Sequence, residues 1–573
     1  MSISISIKKI SLFILWVGFM LPRLYAQDLE KLYGDISKKD SIRFSGGLSA
    51  NTTLYKAWGT DNRRDPFFWT INANLSLSYK LLTIPFSVQV TKQQRNFTNP
   101  IQAPDQVVGL SPSFKGYTIH LGHRSMQFTQ YTLAGAQFFG AGFELNKEKV
   151  PWKIKLVYGR FAEAFKGSAD GFVTQDLILY DRFGAGVQLR YAQKETDIGV
   201  SIFKAKDNTN SLDTAIATAL NASPQENFVI STTVKKKITK WFSVDGEYAL
   251  SAFTRDTRVD EIALDRYSYL NNLNLFTPRG SSSYNSAFNV QANFDFSIFT
   301  FNTKYKRIAP DYQTMGAVFL TNNLREISGG VSWSMFKDKV NLSTNVGHQR
   351  DNLNESQESQ TNRLTSSASI NYAINKKWNT ALSYSNFSAT TRQVFSQFDH
   401  EKDQDSLFFL QVTSNANFTL NYATGEKVSK TSSLTLSVQD ANDSEGNESK
   451  FYNGNFGQQV NFSKTGTQLS LMLNFSSNQN VGVPTQLQLG PIFTVSQSFF
   501  KKKVRTSLSN TFQQSSQDGN KESVYFNHRF NVSYTLKKHQ FSANTAFLRR
   551  QSFTSGSAPF SEIRSGINYN YSF

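Results

Sequence analysis

Six histidines are the side chains in this sequence best suited to metal binding or acid–base chemistry: His120, His123, His348, His400, His528 and His539. His120 and His123 lie three residues apart on an apparent strand, and this odd spacing places them on opposite faces, so they cannot chelate one ion without a bulge. His528 shares its parity with Phe526 and Phe530, which predicts a lipid-facing or interfacial position. The sequence therefore supplies no metal-binding residue.

Catalytic and cofactor-binding residues cannot be assigned either. Ser and Asn occur throughout, so their presence beside a histidine does not single out a hydrolytic set. No Gly-x-Ser-x-Gly elbow, P-loop or paired-histidine zinc motif stands out. The absence of cysteine excludes disulfides, thiolate zinc sites and cysteine nucleophiles. We expect no cofactor, and we expect the protein not to be an enzyme.

The composition excludes two broad classes of protein. The 573 residues are 39% hydrophobic, yet 14% are aromatic, and disordered chains are poor in aromatic residues. Ser, Thr, Asn and Gln are abundant where a helical bundle would have Ala, Leu and Glu. The net charge of +18 could suggest a nucleic-acid partner. The lysine clusters at 235–237, 501–503 and 537–538 fall in apparent turns, however, so anionic headgroups or plain solvation explain them and no nucleic-acid partner is expected.

The first 26 residues have the pattern of an export signal. Lys8 and Lys9 precede an apolar core from Ile10 to Leu21, and Tyr25-Ala26 before Gln27 offers a cleavage point. An uncleaved signal anchor is the alternative. Residues 27–40 predict a short periplasmic segment with a turn or two of amphipathic helix, and residues 41–573 form the remaining domain. After residue 26 no apolar run is long enough for a spanning helix.

Period-2 alternation extends from Ser41 to the end of the chain. Ile71, Ala73 and Leu75 alternate with Asn72 and Asn74, and similar patterns recur near residues 290, 370, 470 and 543. Each strand thus has one apolar face, and its other face carries mainly Asn, Ser, Thr and Gln, with charges near the strand ends. This face suits a wet lumen opposite a lipid-facing band. An exported soluble solenoid or set of sandwiches is the alternative, but no repeated motif supports it.

Short turn-like clusters, most of them rich in lysine, divide the alternating region into hairpins. They lie near Lys80, Lys115, Lys147, Lys194, Lys237, Phe299, Lys337, Lys376, Gly425, Gly466, Lys502 and Lys538. Twelve turns and two chain ends predict thirteen hairpins and about 26 strands, within a range of 22 to 28. The weakest assignments are residues 96–150 and 256–283. The fold class is thus all-β: one large up-and-down antiparallel barrel with short periplasmic turns and longer extracellular loops. Trp152, Trp241 and Trp378 follow short turns, where an interfacial girdle belongs.

The last strand ends Ile567-Asn568-Tyr569-Asn570-Tyr571-Ser572-Phe573, with apolar residues at every second position. This pattern resembles the terminal strand of Gram-negative outer-membrane β-barrel proteins. The resemblance implies placement in the cell outer membrane, contact with its lipid, and recognition of the strand ending at Phe573 by the barrel-assembly machinery. Residues 27–40 are too short for the plug domain of TonB-dependent transporters, so a porin-like barrel without a plug is the expectation.

Three functions remain open at this point. The first is a porin-like channel for small solutes, biased towards anions if the excess Lys and Arg face the lumen. The second is a scaffold or conduit whose lumen holds or docks a partner protein in an outer-membrane complex, because external loops such as 256–283 could fold inward but look too short to seal so wide a pore. The third, a barrel enzyme, has no residue to support it.

Overall fold

The computed structural model describes residues 43–62, 64–79, 82–92, 106–164, 180–262, 275–317, 319–357, 359–393, 408–554 and 558–572. The predicted export signal (1–26), the segment 27–40, His400 and Phe573 lie outside these residues. Within them the chain is almost entirely β-structure, built of 27 strand segments.

The first fourteen segments are shorter on average than those that follow. Their bounds are β1 Arg43–Trp58, β2 Phe67–Tyr79, β3 Leu82–Lys92, β4 Gln106–Leu110, β5 Ser113–Phe114, β6 Tyr117–Gln127, β7 Ala134–Leu145, β8 Trp152–Ala162, β9 Arg182–Gln193, β10 Thr196–Asp207, β11 Glu226–Lys237, β12 Phe242–Thr254, β13 Ser282–Asp295 and β14 Phe299–Ile308.

The remaining thirteen segments reach 17 residues in length. Their bounds are β15 Leu324–Met335, β16 Val340–Asp351, β17 Ser359–Ala373, β18 Trp378–Gln393, β19 Phe408–Thr424, β20 Val428–Asp443, β21 Glu448–Phe462, β22 Thr467–Asn480, β23 Val483–Phe499, β24 Val504–Gln517, β25 Asn520–Leu536, β26 His539–Ser552 and β27 Phe560–Ser572.

The strands form one closed antiparallel ring. Each pairs with its neighbours along the chain, and β4 and β5 lie end to end between β3 and β6, so together they count as one strand. β1 pairs with β27 from Gly47 opposite Ser572 to Trp58 opposite Ser561. The ring therefore has 26 strands and no free edge. This confirms the predicted fold class and strand number.

Eleven of the twelve predicted short turns lie in described residues, all at one end of the barrel, and the turn predicted near Lys80 lies outside them. The connection between β5 and β6 is the two-residue turn Lys115-Gly116, where both residues have positive φ, at 46° and 86°. This is the type I′ geometry that matches the twist of antiparallel strands, and glycine adopts its second position without strain. The lysine-rich clusters thus mark chain reversals, as the sequence indicates.

Connections at the opposite end are unequal in length. Those after β20, β22 and β24 span only 444–447, 481–482 and 518–519, whereas those after β10 and β14 span 208–225 and 309–323. The first of these long connections contains the single described helix, α1 Thr214–Ala219, whose first amide groups are capped by the Asp213 carboxylate. No helix among the described residues is long and apolar enough to cross a membrane.

The outward side of the ring is apolar. The neighbouring strands β20 to β23 present Leu436, Phe456, Leu473 and Leu489, each more than 40% exposed. Phe456 lies directly opposite Leu473, and Leu436 and Leu489 are each offset by two residues from the direct partner on the next strand. So continuous an apolar surface is incompatible with water and matches the hydrocarbon of a bilayer. Outward aromatic residues stand at the short-turn end, including Trp152 beside Tyr191 and Trp378 beside Tyr422, which supports the predicted girdle.

The connection predicted as a loop that could fold inward, 256–283, does not do so in its described residues. Phe276 is buried against Phe228 and Ala252, and its ring lies 5.9 Å from that of Tyr284. These partners have the parity of the lipid-facing side chains of β11, β12 and β13. The described part of this connection packs outward because Leu275 and Phe276 find apolar partners on the outer wall, whereas two other connections enter the lumen.

Candidate functional site: the lumen

Luminal side chains can be identified by contacts between strands that are not neighbours, since only the concave side of a closed ring allows them. The rings of Phe161 on β8 and Phe203 on β10 lie 5.2 Å apart across β9, and Phe203 belongs to one buried cluster with Phe138 of β7 and Phe253 of β12. The side chains that share their parity along the ring are therefore luminal. On β20 this face carries Ser433 and Thr435, and on most other strands it carries Asn, Ser, Thr or Gln.

Two connections fold into the lumen and pack against its wall. Residues 128–133, between β6 and β7, meet residues 309–317, between β14 and β15, and we call this pair the luminal loop cluster. Tyr131, Leu133 and Tyr312 are fully buried, in two apolar groups that include wall residues from β6 to β15. The rings of Tyr131 and Tyr312 meet edge to face at 6.1 Å. Part of the lumen is thus filled by the chain itself.

The two connections are joined through their main chains. The Ala134 amide donates to the Gly316 carbonyl at 2.9 Å, and the Thr314 hydroxyl donates to the Thr132 carbonyl at 2.7 Å. A Cβ at Gly316 would lie 2.3 Å from the Thr132 carbonyl oxygen, well inside van der Waals contact. Glycine is therefore required where the two backbones approach each other.

Asn227 of β11 fastens this pair of connections to the wall. Its side-chain amide nitrogen donates to the Ser251 hydroxyl at 2.9 Å and to the Ala252 carbonyl at 3.0 Å. Its side-chain oxygen accepts from the Met315 amide at 3.0 Å. The Ser251 hydroxyl in turn donates to the Gln313 carbonyl at 2.6 Å. Because Asn227 is fully buried, each of these bonds is protected from competing water.

Burial also keeps the two tyrosines of the luminal loop cluster neutral. Burial raises the pKa of Tyr131 to about 12, and it raises the pKa of Tyr312 further above its ordinary value. The Tyr312 hydroxyl remains a donor, to the Tyr131 carbonyl at 2.8 Å. The Tyr131 hydroxyl accepts a long bond of 3.4 Å from Asn289 on the luminal wall.

The wall beneath these connections carries two arginine–aspartate pairs. Arg182 makes a bidentate pair with Asp207 at 2.7 and 3.1 Å, and Arg190 pairs with Asp197. A recess of about 310 Å³ opens below residues 128–130, and its lining includes Gln188, Lys235, Asp245 and Glu247. Most acidic groups on this side therefore have a cationic or hydrogen-bonding partner.

The opposite side of the lumen is basic. Arg505, Arg529, Arg550 and Arg564 have the luminal parity on β24 to β27, and we call them the arginine strip. Arg529 and Arg564 both oppose Ala546, so they lie in one cross-strand row, about 10 Å apart. Among the described residues, none of the four makes an ion pair.

Two acidic side chains share this region with the arginine strip. Glu522 accepts hydrogen bonds from Gln486 at 3.0 Å and from Ser515 at 2.8 Å. Glu562 accepts from the Tyr55 hydroxyl at 2.8 Å. The strip therefore keeps an excess of positive charge, and half of the ring separates Arg529 on β25 from Glu247 on β12.

The histidines lie where their sequence parity predicts. His120 faces the lumen, 2.9 Å from the Ser111 hydroxyl and 3.4 Å from Glu144. His123 faces outward, its ring 4.7 Å from that of Phe139. His528 is outward too, bonded to Asn510 and stacked over Phe547. Among the described residues no three His, Asp or Glu side chains are grouped closely enough to hold a metal ion.

Sequence reasoning missed the luminal loop cluster, although a signal for it exists. The luminal face of β7 and β9 carries Gly140, Gly142, Gly184 and Gly186 in place of Asn or Ser. A Cβ at Gly186 would lie 2.8 Å from the Phe128 ring, and one at Gly142 would lie 2.5 Å from Met126. Small residues at every second position therefore mark the wall that the connections cover. Two of these glycines, Gly140 and Gly142, together with Gly135, blur the alternation in residues 96–150.

Comparisons with known proteins were made at three levels. No protein-family model matches the chain, and no curated protein matches it by sequence. Solved structures similar to it include the P pilus usher PapC translocation pore, at 9% identity and a TM-score of 0.34, covering 93% of this chain and 100% of that one. The ferric yersiniabactin uptake receptor FyuA from Yersinia pestis is 10% identical with a TM-score of 0.40, covering 94% and 81%. OccAB4 of Acinetobacter baumannii is 10% identical with a TM-score of 0.29, covering 66% and 99%. At these scores, functional conclusions rest on the lumen itself.

Proposed function

We propose that this barrel is an outer-membrane channel through which small polar solutes cross, with a preference for anions. The single observation that carries the proposal is the arginine strip. It lies on the side of the lumen that the luminal loop cluster leaves uncovered. The uncharged Asn, Ser, Thr and Gln positions around it offer hydrogen bonds without fixed charge. Such a lining suits hydrated solutes rather than one tightly bound ligand.

The width of the ring supports a diffusion pathway. Barrels of 16 to 18 strands already enclose an aqueous channel, and 22-stranded barrels hold a plug. Here 26 strands enclose a lumen in which two connections cover part of the wall. Among the described residues, no connection packs against the luminal face of β17 to β27, so the basic side remains accessible to solute.

The anion preference follows from the positions of the charges. A wall of one charge sign with low dielectric behind it raises the local concentration of the opposite ion. Rings of Arg and Lys serve this purpose in anion-selective pores. On the covered side, the pairs Arg182–Asp207 and Arg190–Asp197 cancel locally, whereas the four arginines of the strip make no ion pair within the described part of the chain and add positive charge to the uncovered side.

The test is the reversal potential of single channels in a potassium chloride gradient across a planar bilayer. The native protein should show large steady steps and a potential of the sign set by chloride. The double variant Arg529→Gln with Arg564→Gln should lower the anion-to-cation permeability ratio about twofold or more, since it removes two neighbouring charges.

A charge-matched control is Arg549→Gln with Lys430→Gln. Both side chains are exposed and have the outward parity on β26 and β20, so this variant removes the same charge from the outside of the ring. It should conduct like the native protein. A silent bilayer with the native protein demonstrably inserted would contradict the channel. Equal selectivity in both variants would contradict the anion preference assigned to the arginine strip.

A second candidate is a conduit whose uncovered side is occupied by a partner protein. Two apolar luminal side chains favour it: Met472, 37% exposed, lies directly opposite Ile492 on the next strand. A stoichiometric protein that copurifies from native membranes and is lost in the variant Met472→Asn would support this alternative. Purification of the barrel alone would favour the channel.

Outer-membrane placement belongs to the same proposal. The closed ring, its apolar outer surface and the resemblance of its last strand support it. We propose that residues 1–26 direct export and are removed, that 27–40 remain as a short periplasmic segment, and that the barrel-assembly machinery recognises the strand ending at Phe573. Membrane fractionation and N-terminal sequencing of the mature chain test these points, and a mature protein that begins at Met1 would contradict them.

A further inference from the structure

Three arginines form a row on the outer wall of the barrel. Arg307 of β14 lies directly opposite Arg325 of β15, which lies directly opposite Arg350 of β16. They share their parity with the exposed residues Phe301, Ile327 and Val346, so all three face away from the lumen. Side chains in such direct pairs have Cβ atoms about 5 Å apart, and like charges at that spacing repel each other.

The row lies at the top of the apolar band. Each arginine is one residue from the end of its strand at the long-loop side of the barrel. Eight residues separate Arg307 from Phe299, Arg325 from Trp333 and Arg350 from Leu342, at the short-turn side. At about 3.4 Å per residue and a tilt of about 40°, this corresponds to about 20 Å along the membrane normal. That height is where hydrocarbon gives way to headgroups.

Acidic side chains do not balance the row. Among the described residues, Arg350 pairs with Glu355 at 3.1 Å, whereas Arg307 and Arg325 form no ion pair. The nearest acids along these strands, Glu326 and Asp351, have luminal parity and pair with Lys306 and Arg363 inside the barrel. The outer row therefore has three cations and one anion.

Elsewhere on the outer wall, outward cations are neutralised by an acidic residue of the chain itself. Lys204 and Lys206 also face outward near the top of β10, but both pair with Glu226, at 3.1 and 3.3 Å. Glu226 is only 2% exposed, so the chain supplies and shields the counter-charge itself. The arginine row has no equivalent of Glu226, which means that its counter-charge must come from outside the protein.

We propose that Arg307, Arg325 and Arg350 bind the phosphate of an outer-leaflet lipid headgroup. Guanidinium groups bind phosphate through two parallel hydrogen bonds, and a phosphate between two arginines would replace their repulsion with two attractions. His348, one outward position below Arg350, and Tyr305, one below Arg307, add polar groups beneath the row. This inference rests on the proposed membrane placement but not on conduction.

The experiment is native mass spectrometry of the purified barrel in detergent, with diphosphoryl lipid A as the phosphorylated lipid and phosphatidylcholine as the neutral comparison. The native protein should retain lipid A selectively. The variant Arg307→Gln with Arg325→Gln should bind it about 30-fold more weakly, from about fivefold per cation near a headgroup. The variant Arg549→Gln with Lys430→Gln, which removes two scattered outward charges, should bind within about twofold of the native protein.

Two controls separate loss of lipid binding from loss of folding or of charge. Heat-shifted migration on a gel shows first that each variant is a closed barrel, and Arg307→Lys with Arg325→Lys keeps the charge and should retain most of the binding. Equal retention of lipid A by the native and Gln proteins would overturn the proposal, and so would equal retention of phosphatidylcholine. Millimolar inorganic phosphate that displaces lipid A completely would assign the row to a soluble anion and overturn the lipid assignment. The measurement is made in detergent and does not depend on conduction. Failure of the channel proposal would therefore leave the lipid-binding result unaffected.

Discussion

The hydroxyl of Tyr312 donates a 2.8 Å hydrogen bond to the main-chain carbonyl of Tyr131, 181 residues earlier in the chain. The two residues belong to different connections and are brought together only by closure of the ring. Their contact lies at the centre of the luminal loop cluster. The open width of the lumen therefore depends on packing between residues that are far apart in the sequence.

Raising the pH above about 10 should loosen the luminal loop cluster. Burial raises the pKa of Tyr131 to about 12 and raises that of Tyr312 as well, whereas a solvated phenol ionises near 10. The packed arrangement is therefore fully stable below pH 10 and loses stability as pH rises, by about 1.4 kcal/mol per unit and per phenol, up to the pKa of the packed state. Channel noise between pH 9 and 11.5 measures this loss. The variant Tyr131→Phe with Tyr312→Phe should lack that pH-dependent part, while the titration of surface lysines remains in both.

Gly316→Ala should separate the two connections. The added Cβ would meet the Thr132 carbonyl oxygen at 2.3 Å, and overpacking of this kind costs about 1–3 kcal/mol. We expect larger and noisier conductance steps with an unchanged gel shift, because the ring itself is untouched. Gly454→Ala is the matched control, since its Cβ would have no contact closer than 3.5 Å. Native-like conductance for Gly316→Ala would mean that these residues do not limit the pore.

Asn227→Leu should release residues 313–315 from the wall. It removes the acceptor for the Met315 amide and leaves a buried donor unsatisfied, at a cost of about 1–3 kcal/mol. Hydrogen exchange at the Met315 amide should accelerate by about tenfold or more. Asn568→Ala, which removes a luminal amide on β27 far from these connections, should leave that exchange rate unchanged.

A disulfide can test the closure of the ring. Ser49 of β1 and Asn570 of β27 are direct cross-strand partners on the luminal side, and the chain has no cysteine of its own. Ser49→Cys with Asn570→Cys should form an intramolecular bond that changes gel migration until it is reduced. Ser49→Cys with Gln540→Cys spans two strand spacings, about 10 Å, and should stay reduced. Failure of the first pair to oxidise would argue against the seam.

Local sequence pattern predicts the ring well and the lumen poorly, for physical reasons. The alternation that places Leu436 and Leu473 outward is a period-2 signal confined to each strand, and the lysine-rich turns separate the strands cleanly. The position of Tyr131 against Tyr312 depends on a loop that crosses the lumen, and the alternation within each strand does not predict it. The glycines of β7 and β9 are a sequence signal of this packing, but they can be interpreted only once the covered wall is known. The outward packing of Phe276 is unpredictable for the same reason.

The unequal connections at the long-loop end give the rim of the barrel two different kinds of surface. Between β20 and β25 the strands run for 14 to 17 residues and turn within two to four. A 17-residue strand extends about 45 Å along the membrane normal, well beyond an apolar band of about 25 Å. This part of the rim is therefore formed by paired strands. In the proposed outer-membrane placement with the long loops outside, antibodies or phages that bind this rim would contact side chains held at every second position of a strand. Sequence changes there would alter antigenicity one side chain at a time, without remodelling a loop.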